Sequence, residues 1–155
     1  MKAKSNLSLF QVSEITVSYH PKFKAYERPK VSTAKQAYEI LFNNWNLNKI
    51  EMVEQSYMLL LNQANNVIGM SEVSCGGFAG TVMDPKVIFA IALKANASQV
   101  ILAHNHPSGN IKPSSADIHI TRRLVEAGKL LELQVLDHLI ITRDRFYSFG
   151  DEGLI

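Results

Sequence analysis

The chain is poor in cysteine, in charge of one sign and in long apolar runs, and each shortage excludes something. Of its 155 residues only Cys75 is a cysteine. That rules out an internal disulfide and the disulfide framework of small secreted domains. It also rules out zinc sites built from several thiolates, so a metal would have to be held by His, Asp or Glu. No window approaches about 18 uninterrupted apolar residues, so no membrane-spanning helix is expected. Residues 1–10 carry two lysines but no apolar core or cleavage pattern, and a cytoplasmic protein is the default expectation. The net charge of +2 is too small to imply a nucleic-acid partner. Lys22, Lys24, Arg28 and Lys30 form a local basic cluster that reads as a solvated loop.

What is present is an ordinary apolar fraction, 46%, in a chain long enough for one domain with a small extension. Ile15, Val17 and Tyr19 alternate with polar residues, which predicts a short strand. Ser32 or Thr33 can cap a helix whose apolar face runs through Ala34, Ala37, Tyr38, Leu41, Phe42 and Trp45, with Trp45 as a core anchor. Tyr57 to Leu61 is continuously apolar and suits a central strand buried on both faces, with Val67 to Val73 as its hairpin partner. Cys75, beside Gly76, Gly77 and Gly80, reads as a small buried hydrophobe. Asp84-Pro85 starts a second helix and Ser98 to Ala103 forms the next strand. A third amphipathic helix follows from Ile118 and fades at Gly128. Leu133 to Thr142 and Phe146 to Phe149 close the chain as strands. Strands and helices mix with a clear hairpin, so an α+β fold, a mixed sheet flanked by helices, is expected.

The chemistry concentrates in Ala103-His104-Asn105-His106-Pro107-Ser108-Gly109 and Pro113-Ser114-Ser115-Ala116-Asp117. On extended backbone, His104 and His106 project to one side, because the strand period is two. A tight loop could fold Asp117 back to the same point. Two imidazoles and one carboxylate, with a fourth position left for water, make the composition of a catalytic zinc site. Ser114 to Asp117 is also a capping-box variant, and the two roles are compatible, since a cap can hold Asp117 while its outer oxygen reaches an ion. His-Asn-His is not the HNH nuclease motif, whose letters are spread over a ββα fold. His119 should be a surface residue, and His20 receives no role.

His104-x-His106, seven residues, Ser114, two residues and Asp117 resemble the JAMM (JAB/MPN) metalloprotease pattern with every spacing intact. Together with His106-Pro107-Ser108-Gly109 and Leu136-Asp137-His138, the chain is similar to the RadC branch of that superfamily, over roughly residues 54–155. The resemblance implies a cytidine-deaminase-like JAB/MPN fold over residues 46–155, preceded by an extension over 1–45 made of a strand and a helix. It implies one zinc ion on His104, His106 and Asp117, and Ser114 as an oxyanion or water partner. Glu54, ahead of the central strand, would be the general base, with Glu51 as its competitor. The activity implied is hydrolysis of peptide or isopeptide bonds in a peptide or protein substrate. A DNA-repair or DNA-binding role, with a structural or non-catalytic metal site, is the alternative attached to RadC proteins. For Asp137-His138 a buried hydrogen-bonded pair supporting the sheet is expected over a second metal site.

Overall fold

The structure, a computed structural model, describes residues 12–13, 22–76 and 82–155. The strand expected at Ile15–Tyr19, His20 and residues 77–81 of the glycine loop lie outside the described residues.

After a short 3-10 turn, Ala25–Glu27, come α1 (Ala34–Asn43), β1 (Gln55–Leu61), β2 (Val67–Cys75), α2 (Pro85–Lys94), β3 (Gln99–Asn105), α3 (Ser115–Leu130), β4 (Gln134–Ile141) and β5 (Phe146–Ser148). The strands form one mixed sheet in the order β2-β1-β3-β4-β5. Among the described strands only the β3–β4 pairing is parallel, and α3 is the crossover that it needs. The fold is therefore α+β.

Strand alternation divides the core into two layers. Leu59, Leu61, Ile101, Ala103, Leu139 and Ile141 face α1, where Ala37 and Leu41 meet Trp45 and Ile50. Met58, Leu60, Val100 and Leu102 face α2 and α3 through Ile88, Phe89, Ala92 and Leu124. β1 and β3 are buried along their whole length, as continuously apolar strands must be when helices cover both faces. Trp45 is buried against Tyr57, ring centroids 4.4 Å apart.

The helix starts follow from their caps. Thr33 accepts from Gln36 N, Asp84 from Lys86 N with Pro85 in the first turn, and Ser114 from Asp117 N. Two expectations need correction and a third is refined. Helix α3 does not fade at Gly128 but runs on to Leu130, and the left-handed residue beyond it is Glu132. Gly128 is there for close approach, since a Cβ at that position would lie 2.4 Å from the Leu133 carbonyl oxygen. Cys75 is exposed, not buried: it is the last residue of β2, the outermost strand of the sheet among the described residues. Asp137 and His138 are buried and hydrogen-bonded as expected, through His138 N donating to Asp137 Oδ1 at 2.7 Å, while their side chains serve opposite faces of the sheet.

Neighbouring strand residues always part in this way, and a bulge decides which face each takes. Val100 pairs with Val135, whereas Ile101 pairs with Asp137, so β4 carries one extra residue at Leu136. Because alternation has period two, one extra residue moves everything after it to the other face. His138 consequently falls beside Leu102, on the α2/α3 face, and Asp137 beside Ile101, on the α1 face.

Candidate metal centre

β3 delivers His104 at its end on the α2/α3 face, in line with Val100 and Leu102. Asn105 points the other way, and His106 returns to the His104 side, where the two Nε2 atoms are 3.0 Å apart. Helix α3 begins with Ser114 as its cap, and its third residue, Asp117, completes the group. Asp117 Oδ1 lies 3.3 Å from His104 Nε2 and Oδ2 lies 3.6 Å from His106 Nε2. His104, His106 and Asp117 thus form a cluster able to hold a metal ion, with their ligand atoms within 4.8 Å of one another.

The capping box and the cluster share Asp117 without conflict. Its Oδ2 accepts from Ser114 N and Ser114 Oγ, both at 2.7 Å, which leaves Oδ1 turned to His104. Ser114 is therefore a helix cap that also fixes the carboxylate. The loop between the ligands is set by Gly109, whose φ of 75° suits a residue without Cβ. That turn brings the Asn110 carbonyl to His106 Nδ1 at 2.6 Å. A carbonyl only accepts, so Nδ1 carries the proton and a neutral His106 presents a lone pair at Nε2.

On the other side, His104 Nδ1 is 2.8 Å from His138 Nε2, and His138 Nδ1 is 2.6 Å from Thr121 Oγ1. Thr121 Oγ1 donates to the Asp117 carbonyl at 2.6 Å. Thr121 and His138 were not foreseen as neighbours of the site. Thr121 stands four residues after Asp117, one helical turn along the same face, which was the available signal. The signal for His138 was hidden by the bulge.

Charges shift accordingly. Burial works to raise the Asp117 carboxyl, but hydrogen bonds from His104 and His106, the charge of His104 and the Ser114 hydroxyl hold it well below the usual carboxylate range. Hydrogen bonding to Asp117 raises His106, against the opposing effect of burial. Burial, and after it the charge of His104, pushes His138 well below the ordinary imidazole value.

Glu54 lies just ahead of β1. Ser56 pairs with His104, so continuing that antiparallel register sets Glu54 level with His106, on the same face. Glu54, His104 and Asp117 line one cavity of about 460 Å³, whose other walls include Val82, Met83, Pro85, Ile120 and Arg123. Glu51 is exposed and pairs with Arg143 at 3.3 Å. Asn105, passed over in the sequence, grips this segment from below: its Oδ1 accepts from Gln55 N, and its Nδ2 donates to Ile50 O and Val53 O. No local pattern marks that role. His119 is exposed on α3. The basic loop is tied through Pro29 and Lys30 to Asn66 and Val67, at the opposite end of β1 from Glu54.

The donor set fits a small borderline cation. Bonds of about 2.0–2.2 Å in a tetrahedral array put ligand atoms roughly 3.3–3.6 Å apart. His104 Nε2 lies 3.0 Å from His106 Nε2 and 3.3 Å from Asp117 Oδ1, close to that range. Two imidazole lone pairs and a carboxylate repel one another unless a cation or a proton lies between them.

The RadC-like JAB domain family matches residues 31–154, a span that includes α1. A UPF0758 protein of Flavobacterium johnsoniae is 47% identical over 97 residues, covering 63% of this chain and 42% of its own length. A UPF0758 protein of Clostridium acetobutylicum is 35% identical over 134 residues, covering 86% and 57%. One from Methanosarcina mazei is 36% identical over 126 residues, covering 81% and 54%. The chain spans about half the length of the curated relatives it matches.

Proposed function

The chain belongs to the RadC-like JAB domain family, and from that premise we propose that it is a zinc-dependent hydrolase of peptide or isopeptide bonds. The observation that carries this reading is the clustering of the His104, His106 and Asp117 ligand atoms, within 4.8 Å of one another, beside a cavity lined by His104, Asp117 and Glu54. His104, His106 and Asp117 would hold the ion. A zinc ion with three protein ligands lowers the pKa of water bound to it to about 7 and polarises a carbonyl.

The chain's own groups would do the rest. The Glu54 carboxylate accepts a proton from the attacking water and passes it to the leaving nitrogen, as a general base that then acts as a general acid. Ser114 stabilises the developing oxyanion. Its hydroxyl is one of two donors on Asp117 Oδ2, so it can turn to substrate while the Ser114 N–H keeps the carboxylate in place. The cavity, open to solvent beside Val82 and Ile120, would receive the peptide.

Metal analysis of the purified protein is the first test, with about one zinc per chain expected and lost in His104→Ala/Asp117→Ala. Glu54→Gln should retain zinc yet lose cleavage of a peptide or isopeptide library. Zinc retained by the double variant, or cleavage undiminished in Glu54→Gln, would overturn the proposal.

A further inference from the structure

Behind His104 the structure carries a buried chain of three hydrogen bonds that ends on the main chain of the helix bearing Asp117. We propose that His138 and Thr121 are positioning residues that fix the tautomer of His104 and so keep its Nε2 lone pair turned to the metal. This rests on reading His104, His106 and Asp117 as metal ligands.

Proton accounting gives the direction of the chain. The Asp117 carbonyl can only accept, so at 2.6 Å it takes the single proton of the Thr121 hydroxyl. With that proton committed, Thr121 Oγ1 can only accept from His138, and His138 Nδ1 must carry a hydrogen. At the other edge of the ring, His138 Nε2 and His104 Nδ1 share one proton across 2.8 Å. Were it on His138, that ring would be a doubly protonated cation. His138 is 0% exposed and its two ring nitrogens are bonded to His104 and Thr121, not to a carboxylate, so such a cation would be desolvated without a paired charge on the ring. The proton therefore sits on His104 Nδ1. His104 Nε2 is left bare and faces His106 and Asp117.

The geometry also holds the ring still. His138 stacks on Phe149 with centroids 4.9 Å apart, and Thr121 is fully buried. The same carbonyl that anchors the chain belongs to Asp117, so the ligand on α3 and the ligand on β3 are coupled through Thr121 and His138. A metal-binding imidazole commonly donates its second nitrogen to a carboxylate, carbonyl or water. Here the acceptor is a neutral imidazole, and its own orientation depends on a hydroxyl two hydrogen bonds from His104.

Removing that hydroxyl should reverse the chain. In Thr121→Val, His138 Nδ1–H loses its acceptor, and the ring gains by moving its proton to Nε2. It then donates to His104 Nδ1, which places the His104 proton on Nε2, over the ligand atom. The test combines two readouts on metal-free and Zn²⁺-titrated protein. Long-range ¹H–¹⁵N spectra of the histidine rings, recorded above the titration of free imidazole, report which nitrogen is protonated. Competition with a chromophoric chelator reports Zn²⁺ affinity.

Wild type and Thr121→Ser should show His104 protonated at Nδ1 and bind Zn²⁺ alike. Thr121→Val should show His104 protonated at Nε2 and bind Zn²⁺ about 10–100-fold more weakly. A wild-type His104 protonated at Nε2 overturns the proposal, whether or not the valine variant folds. So does a Thr121→Val protein with unchanged tautomers, or with shifted tautomers and unchanged affinity. Wild-type tautomers as stated, with no Zn²⁺ binding, would sink the metal reading alone and leave the hydrogen-bond chain standing.

Discussion

Asn105 holds the main chain on both sides of Glu54. Its side chain accepts from Gln55 N at 2.6 Å and donates to Val53 O at 2.9 Å, with a further bond to Ile50 O at 2.6 Å. The residue between the two histidines thus reaches through the sheet to the segment carrying the proposed base. Asn105→Ala would leave three backbone groups without their partner and is expected to cost about 2–4 kcal/mol in urea unfolding. In protein that remains folded, hydrolysis should fall more than Zn²⁺ affinity, since Glu54 is not one of the proposed ligands. Equal losses of both would contradict this role.

Proton release on metal uptake follows from the two shifted groups of the cluster. His106, raised above its ordinary 6.5 chiefly by Asp117, must lose its proton to ligate, whereas Asp117 is already ionised. Zn²⁺ affinity should therefore decline as the pH falls through the raised His106 value. Calorimetry in buffers of different ionisation enthalpy should find about one proton released near pH 6.5. Uptake without proton release at that pH would contradict the assignment.

Asp137 contributes a pH dependence of stability with the less common sign for an acid. Burial raises its carboxyl above the ordinary 3.8, against the donors Ser148 Oγ, Gly150 N and His138 N. The folded state then binds the proton more tightly than the unfolded chain does. That contribution is complete below the unfolded value and is lost as the pH rises through the folded one. Asp137→Asn removes it, so the stability of wild type relative to the variant should decrease in urea titrations as the pH rises above the ordinary 3.8. A constant difference would contradict the shift.

Gly128→Ala tests the close approach at the end of α3. The added methyl would stand 2.4 Å from the Leu133 carbonyl, a backbone atom that cannot swing away. A loss of roughly 1–3 kcal/mol is expected, although alanine is the better helix former. Chemical denaturation measures it, and a neutral or stabilising effect would mean that the α3–β4 connection yields easily.

Local signals sufficed where the physics is local. The caps Thr33, Asp84-Pro85 and Ser114, the apolar run of β1 and the spacing of His104, His106 and Asp117 were legible because each depends on residues a few positions apart. Their types and order carried the α+β fold, and the composition of the cluster with it. Gly128 misled because a glycine serves equally to end a helix and to admit a neighbour, and the neighbour, Leu133, is seen only in the folded chain. Cys75 misled because nothing near it in the sequence reveals that its strand ends there with the side chain outward.

The sequence by itself determined that two imidazoles and a carboxylate stand at the end of a buried strand and the start of a helix. Tertiary structure decided what supports them. The antiparallel register of β1 on β3 brings Glu54 level with His106 across fifty residues, and no local pattern encodes that alignment. The extra residue of β4 sends His138 to the face of His104 and Asp137 to the other. Alternation of side chains is a local rule, but where it is broken depends on how one strand lies against its neighbour.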